Sequence, residues 1–359
     1  MLLTEIYQPI QSQLQAAEEL LIQELASREN FRHSLMAELT RHVVRMPGKR
    51  IRPALALLGA SLAHAGAQFK ASSSRKRGSG GHSRWSLPSS VIEGGNDRAI
   101  QLATAVEMIH TATLLHDDVI DGASLRRGLS TLNAKWGDTL SVLSGDYLYA
   151  KAFCLLSQLG HPTVLNLMSD TARTVCEGEV AQIQHQYDLT LTRSDYMKII
   201  GWKTASLMGA AAQAGALLGG MTPRQSARLG VFGTNLGLAF QILDDTQDLM
   251  GEEEVLGKSL GTDLALGQLT LPLLYLRDTA DPDLRSQLAQ WFNGNGSRTA
   301  AQAQEQLKVL KEEAAKHKVP VYCRRVAKGY LSKARQALSP FPDAPYKTSL
   351  LALTDYLLQ

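Results

Sequence analysis

Apolar residues recur at spacings of three and four through almost the whole chain, as in "LLTEIYQPIQSQLQAAEELLIQEL" from Leu2 to Leu25. That period gathers them on one face of a helix, and no run of alternating, β-branched residues of the strand type stands out. The pattern predicts an all-α chain, with helices near 2–27, 31–45, 51–66, 98–120, 138–158, 163–187, 194–219, 223–249, 267–280, 283–292, 298–317, 319–338 and 345–358. The most apolar long run is "ASLMGAAAQAGALLGGM", Ala205 to Met221. It is broken by Gln213, is shorter than a membrane span and is mostly Ala and Gly, so it predicts a buried helix packed closely against a neighbour.

The stretch from Ala67 to Ala99 interrupts this regularity, being rich in Ser, Gly and basic side chains and poor in apolar ones. It is expected to be a surface loop inserted in one helical domain over 1–359. Its Arg75, Lys76, Arg77 and Arg84 form a charge run of the kind that is usually only solvated, and no catalytic role is assigned to it. Composition adds limits. With 359 residues, 44% hydrophobic and 20% charged, the chain can bury a large core, and a formal charge of +3 gives no argument for nucleic acid. The amino terminus carries acidic residues where a signal peptide needs a basic start, so a cytoplasmic protein is expected. Cys154, Cys176 and Cys323 have no zinc-type or redox-type spacing and read as free thiols.

The chemistry lies in two acidic clusters. In "LLHDDVIDGASLRRG", Asp117 and Asp121 stand one helical turn apart and Asp118 three residues before Asp121, so the carboxylates converge on one side. Next to Leu114, Leu115, Val119 and Ile120 such a concentration is costly unless a cation compensates or the face is fully wet. A single cluster is equally well a solvated helix end. The spacing returns in "FQILDDTQDLMG", with Asp244, Asp245 and Asp248. Two matched carboxylate clusters without His or Cys partners suit Mg²⁺, which keeps few protein ligands and completes its shell with water and phosphate oxygen. Calcium storage fits poorly, because the glycine and terminal glutamate offsets of an EF-hand are absent. Lys49 and Arg52 in "MPGKRIRP", Arg126 and Arg127 after the first cluster, Lys203 with Thr204 in "GWKTASL", and Lys258 supply the residue types that recognise diphosphate.

Together, "GKRIRP", "HTATLLHDDVIDGASLRRG", "SGDYLYAKAF", "EGEVAQ", "KTASL", "FQILDDTQD" and "GKSLGTDLALGQLTLP" resemble the trans-isoprenyl diphosphate synthases, the polyprenyl synthetases, in order from about Lys49 to Pro272. The resemblance implies a helical bundle around a deep central cavity with the acidic clusters facing near its mouth. Asp117, Asp118, Asp121, Asp244 and Asp248 would hold Mg²⁺, and these five with Asp245 and Lys203 form the catalytic set. Arg126, Lys203, Thr204, Gln241 and Lys258 would bind an allylic diphosphate, and Lys49, Arg52, His110 and Arg127 isopentenyl diphosphate. His110 stands two turns before Asp117, although taken alone it reads as a core histidine. Gln182 would also face the cavity, whereas Arg50 should point away if Lys49 and Arg52 share a face.

The same resemblance implies transfer of a prenyl cation to isopentenyl diphosphate in a homodimer; transient membrane contact at product release is a separate expectation that the sequence leaves open. Ala112 and Thr113 are small where farnesyl-type members tend to carry an aromatic side chain, so a long product for quinone side chains is expected. Tyr149 or Phe153 is either a deeper floor or an ordinary core aromatic. The alternatives are a farnesyl- or geranylgeranyl-length product, a regulatory subunit of a heteromeric synthase, disfavoured by the intact carboxylates, and a terpene cyclase, disfavoured by the second aspartate cluster. Gln268 stands in "GQLTLP" where the family usually has lysine, which removes one cation from the diphosphate region.

Overall fold

The computed structural model describes residues 1–26, 34–44, 48–75, 89–126, 128–251, 261–293 and 300–359. It is built from helices: α1 (Leu3–Ile6), α2 (Gln11–Ala26), α3 (Ser34–Val44), α4 (Ile51–Arg75), α5 (Ser89–Ile120), α6 (Leu132–Trp136), α7 (Asp138–Gln158), α8 (Pro162–Gln184), α9 (Arg193–Ile200), α10 (Ser206–Leu218), α11 (Pro223–Met250), α12 (Thr262–Ala265), α13 (Leu271–Thr279), α14 (Pro282–Asn293), α15 (Ala300–Lys316), α16 (Val319–Ala337) and α17 (Pro345–Tyr356). Two strands, β1 (Leu125–Arg126) and β2 (Leu129–Ser130), pair antiparallel just after α5. The all-α expectation stands.

The structure departs from the periodic pattern in three places. The first predicted helix is interrupted by a 3₁₀ turn over Gln8–Ile10, where Pro9 lacks the N–H that a continuous helix needs. The run expected as one helix over 194–219 contains a π-helical turn, Gly201–Ala205, between α9 and α10. The stretch expected as a loop over 67–99 is helical at both ends, since α4 runs to Arg75 and α5 begins at Ser89. Extending a helix that is already nucleated adds one hydrogen bond for each residue fixed, so Ala, Gln and Ser suffice. Lys76, Arg77 and Arg84 lie outside the described residues.

α10 sits at the centre, against α4, α5, α8 and α11, and α11 packs in turn on α16. The small residues of α10 make this possible. A Cβ on Gly215 would collide with the Ala56 carbonyl of α4, while Ala211, Ala212, Ala214 and Ala216 are fully buried. Buried apolar side chains form one cluster from Ile6 to Leu353. α11 starts from a capping box, Thr222 with Gln225, and has Pro223 in its first turn. Among the described residues no helix is long and apolar enough to cross a membrane. Cys154 and Cys176 are exposed free thiols, and Cys323 is a buried one.

Candidate active site

The first acidic cluster lies at the end of α5. Asp118 is fully buried, and its Oδ1 accepts a hydrogen bond from Arg126 Nε at 2.7 Å. The two-stranded hairpin delivers that arginine, and Asn133 Nδ2 fastens the turn by donating to the Asp118 carbonyl at 3.2 Å. Asp118 Oδ2 is buried without a hydrogen-bond partner among the described residues. Burial raises the pKa values of Asp117, Asp118 and Asp121. Lys203 opposes this at Asp117 and Asp121, and Arg126 opposes it at all three. Acids raised by burial, one with an orphaned oxygen, are a donor set that a hard cation would complete.

Lys203 stands on the π-helical turn between two acids, with Nζ 2.5 Å from Glu179 Oε2 and 3.7 Å from Asp117 Oδ2. Burial works against its charge, but Asp117, Glu179 and Asp121 outweigh this and hold its pKa above the ordinary lysine value. Its neighbour Thr204 turns to the second motif and donates to Gln241 Oε1 at 2.8 Å. The π turn, a geometry often found at functional sites, therefore links the two aspartate motifs.

The second cluster is built differently. Asp245 accepts from Tyr196 Oη at 2.5 Å and from Gln241 Nε2 at 2.7 Å. Burial pushes its pKa up to about 7, against the pull of those two hydrogen bonds. Asp248 accepts from Thr262 Oγ1 at 2.8 Å and from the Asp263 N–H at 3.2 Å, so it also caps the start of α12. Asp244 is half-buried. Among the described residues no three acidic, His or Cys side chains are gathered to hold a metal by themselves. Arg126, Tyr196, Gln241 and Thr262 engage the carboxylates instead, and a cation with few protein ligands, completed by substrate oxygen, suits this arrangement.

A pocket beside the first cluster collects Lys49, Arg52, His110, Thr111, Leu114 and Asp118, with Phe240 of the second motif. Arg52 Nη1 and His110 Nε2 are 3.0 Å apart, and Lys49 Nζ lies 5.7 Å from the Phe240 ring centroid. Three residues expected to bind isopentenyl diphosphate thus share one pocket wall. Arg50, expected from its register to point elsewhere, lines this pocket as well. At φ 51° it is bound to Glu18 at 2.8 Å and Glu107 at 2.5 Å, pinning the start of α4 to α2 and α5. Arg127 and Lys258 lie outside the described residues.

Ala112 is fully buried, and Thr113 donates to the His110 carbonyl at 2.7 Å. Tyr149 and Phe153 pack against the core, Tyr149 also stacking on His116 with ring centroids 6.1 Å apart. Sequence reasoning missed Glu179 and Tyr196. The available signal for Glu179 was an acid beside a glycine within the quoted "EGEVAQ"; for Tyr196 there was none beyond an aromatic one helix away from a buried acid.

A model of the polyprenyl synthetase family matches residues 33–310. The chain is 36% identical over 319 residues to an octaprenyl diphosphate synthase of Haemophilus influenzae, covering 89% of this chain and 86% of that one. It is 33% identical over 325 residues to heptaprenyl diphosphate synthase component 2 of Bacillus subtilis, covering 90% and 82%. A crystal structure of a polyprenyl synthase from Caulobacter crescentus, complexed with calcium and isoprenyl diphosphate, superposes with a TM-score of 0.84 at 32% identity, covering 99% of this chain and 97% of that one. With the paired aspartate motifs, the bridging lysine and the basic pocket on one helical scaffold, the chain belongs to the polyprenyl synthetase family.

Proposed function

We propose that the protein condenses isopentenyl diphosphate with an allylic prenyl diphosphate to build a long all-trans polyprenyl diphosphate for quinone side chains. The observation that carries this reading is the π turn, which sets Lys203 against the first aspartate motif and Thr204 against the second. Mg²⁺ held by Asp117, Asp118, Asp121, Asp244 and Asp248 would supply charge for the allylic diphosphate as it leaves. Lys203, Arg126 and Lys258 add positive charge on the same group, and Thr204 and Gln241 orient it. Charge neutralisation lets the allylic C–O bond ionise to a resonance-stabilised cation.

Lys49, Arg52, His110 and Arg127 hold isopentenyl diphosphate with its double bond toward that cation. The new C–C bond forms, and a proton then leaves to the released diphosphate. No protein nucleophile takes part. Leu114, Leu115 and Phe240 keep the site apolar, since water would quench the cation. Ala112 and Thr113 leave the tail side without an aromatic block, which supports a long product. We expect a cytoplasmic homodimer with transient membrane contact at product release.

The test is to incubate the protein with Mg²⁺, farnesyl or geranylgeranyl diphosphate and labelled isopentenyl diphosphate, then size the dephosphorylated products. Long polyprenols are expected. Arrest at geranylgeranyl length refutes the long-chain assignment, and label incorporated only with an added partner subunit identifies a heteromeric synthase.

A further inference from the structure

We propose that Glu179 is a positioning residue acting through Lys203, holding the ammonium off Asp117 so that this carboxylate stays open to a divalent cation; the inference rests on the prenyltransferase reading. Two adjacent residues of α8 meet the same residue of the π-helical turn. A Cβ on Gly178 would stand 2.5 Å from the Lys203 backbone nitrogen and 2.9 Å from its Cα, so the bare glycine lets the turn lie directly on α8. Glu179, the next residue, takes the other end of the side chain at 2.5 Å. With backbone and ammonium both anchored to α8, Nζ stops 3.7 Å from Asp117 Oδ2, within Coulombic reach but beyond a hydrogen bond.

The side chains of Lys203, Asp117 and Glu179 are only 22%, 16% and 15% exposed, so water does little to weaken these forces. Without Glu179, Asp117 is, among the described residues, the acid left within 4 Å of Nζ. A movement of about 1 Å then makes a charge-assisted hydrogen bond that competes with a metal ion for the same oxygen. Glu179 serves the site by occupying the lysine, without touching substrate.

The experiment is a double-mutant cycle in metal binding, read by titration calorimetry of Mg²⁺ in the presence of inorganic diphosphate and therefore independent of turnover. Glu179→Gln is expected to raise the Mg²⁺ concentration for half-saturation about tenfold, the low end of what a partner outside the metal's own ligands contributes. In a Lys203→Gln background the same substitution should change it less than about twofold. A metal-free crystal structure of Glu179→Gln should show Nζ within hydrogen-bond distance of Asp117. An equal loss in both backgrounds makes Glu179 a direct ligand and overturns the inference, as does an unchanged Mg²⁺ requirement or an unmoved Nζ. Failure of the wild-type chain to transfer a prenyl group refutes the reading of function instead, and the binding cycle still decides the role of Glu179.

Discussion

Replacing Arg126 by Met tests the electrostatics of the first cluster most directly. Asp118, with a side chain 1% exposed, has Arg126 as its hydrogen-bonded cation at 2.7 Å, and the arginine itself is 25% exposed. Removing one partner of a buried pair costs about 3–5 kcal/mol, and the partial exposure of Arg126 argues for the lower end, about 3 kcal/mol. The loss should depend on pH. Burial already raises the folded pKa of Asp118, so the folded state binds this proton more tightly than the unfolded one, and stability falls as pH rises through the interval between the two pKa values. Without Arg126 that interval extends upward, and the penalty is full at pH 8 and shrinks toward pH 5, where protonation relieves the carboxylate. Thermal melts in chelator are the assay. A chain of this size should lose roughly 5 °C at pH 8 and less than half of that at pH 5. Adding Asp118→Asn to Arg126→Met should restore most of the loss, because the uncompensated charge is gone. An equal drop at both pH values, or no relief in the double variant, would refute the reasoning.

Asp245 has a folded pKa near 7, above its unfolded value, so metal-free protein should lose stability as pH rises from about 4 to 7, and Asp245→Asn should flatten that part of a melting-temperature profile. Tyr196→Phe removes a donor from the same buried carboxylate and should cost about 1–3 kcal/mol in chemical denaturation, with a larger loss at pH 8 than at pH 5. Mg²⁺ with inorganic diphosphate should raise the melting temperature more at pH 8 than at pH 5, since the carboxylates that hold the ion must be ionised; equal shifts would contradict the metal assignment. Gly215→Ala should cost about 1–3 kcal/mol in a thermal melt, because α10 must move away from the Ala56 carbonyl.

How much of this was legible follows from the range of each signal. α7 was readable to the residue, 138–158, because Gly137 precedes it and Leu148, Ala152, Leu155 and Leu156 keep a helical period on its buried face, although Ser141, Ser144 and Gly145 fill that face in the first half. The π turn was not. One extra residue in a turn shifts the phase of a helix by about 100°, which a window over 194–219 absorbs as an ordinary amphipathic run. Equal spacing in the two aspartate motifs predicts convergent carboxylates, whereas among the described residues no three acidic side chains are gathered to hold a metal by themselves, and spacing carries no information about which groups other elements bring. Around the first triplet the fold places cations, Lys203 from the π turn and Arg126 from the hairpin. In the second it gives Asp245 the neutral donors Tyr196 and Gln241, and Asp248 the hydroxyl of Thr262. Asp117, Asp118 and Asp121 oppose charges that a metal or diphosphate can exchange with, whereas Asp245 is tied from both sides and fixes Gln241, which in turn fixes Thr204. Asp248 stands between these cases, because its two oxygens also accept from Thr262 and from the Asp263 N–H at the start of α12, so a metal would take the lone pairs that these contacts leave, and the contacts that hold the "GTDLALGQLTLP" segment would fix the direction in which that carboxylate presents them.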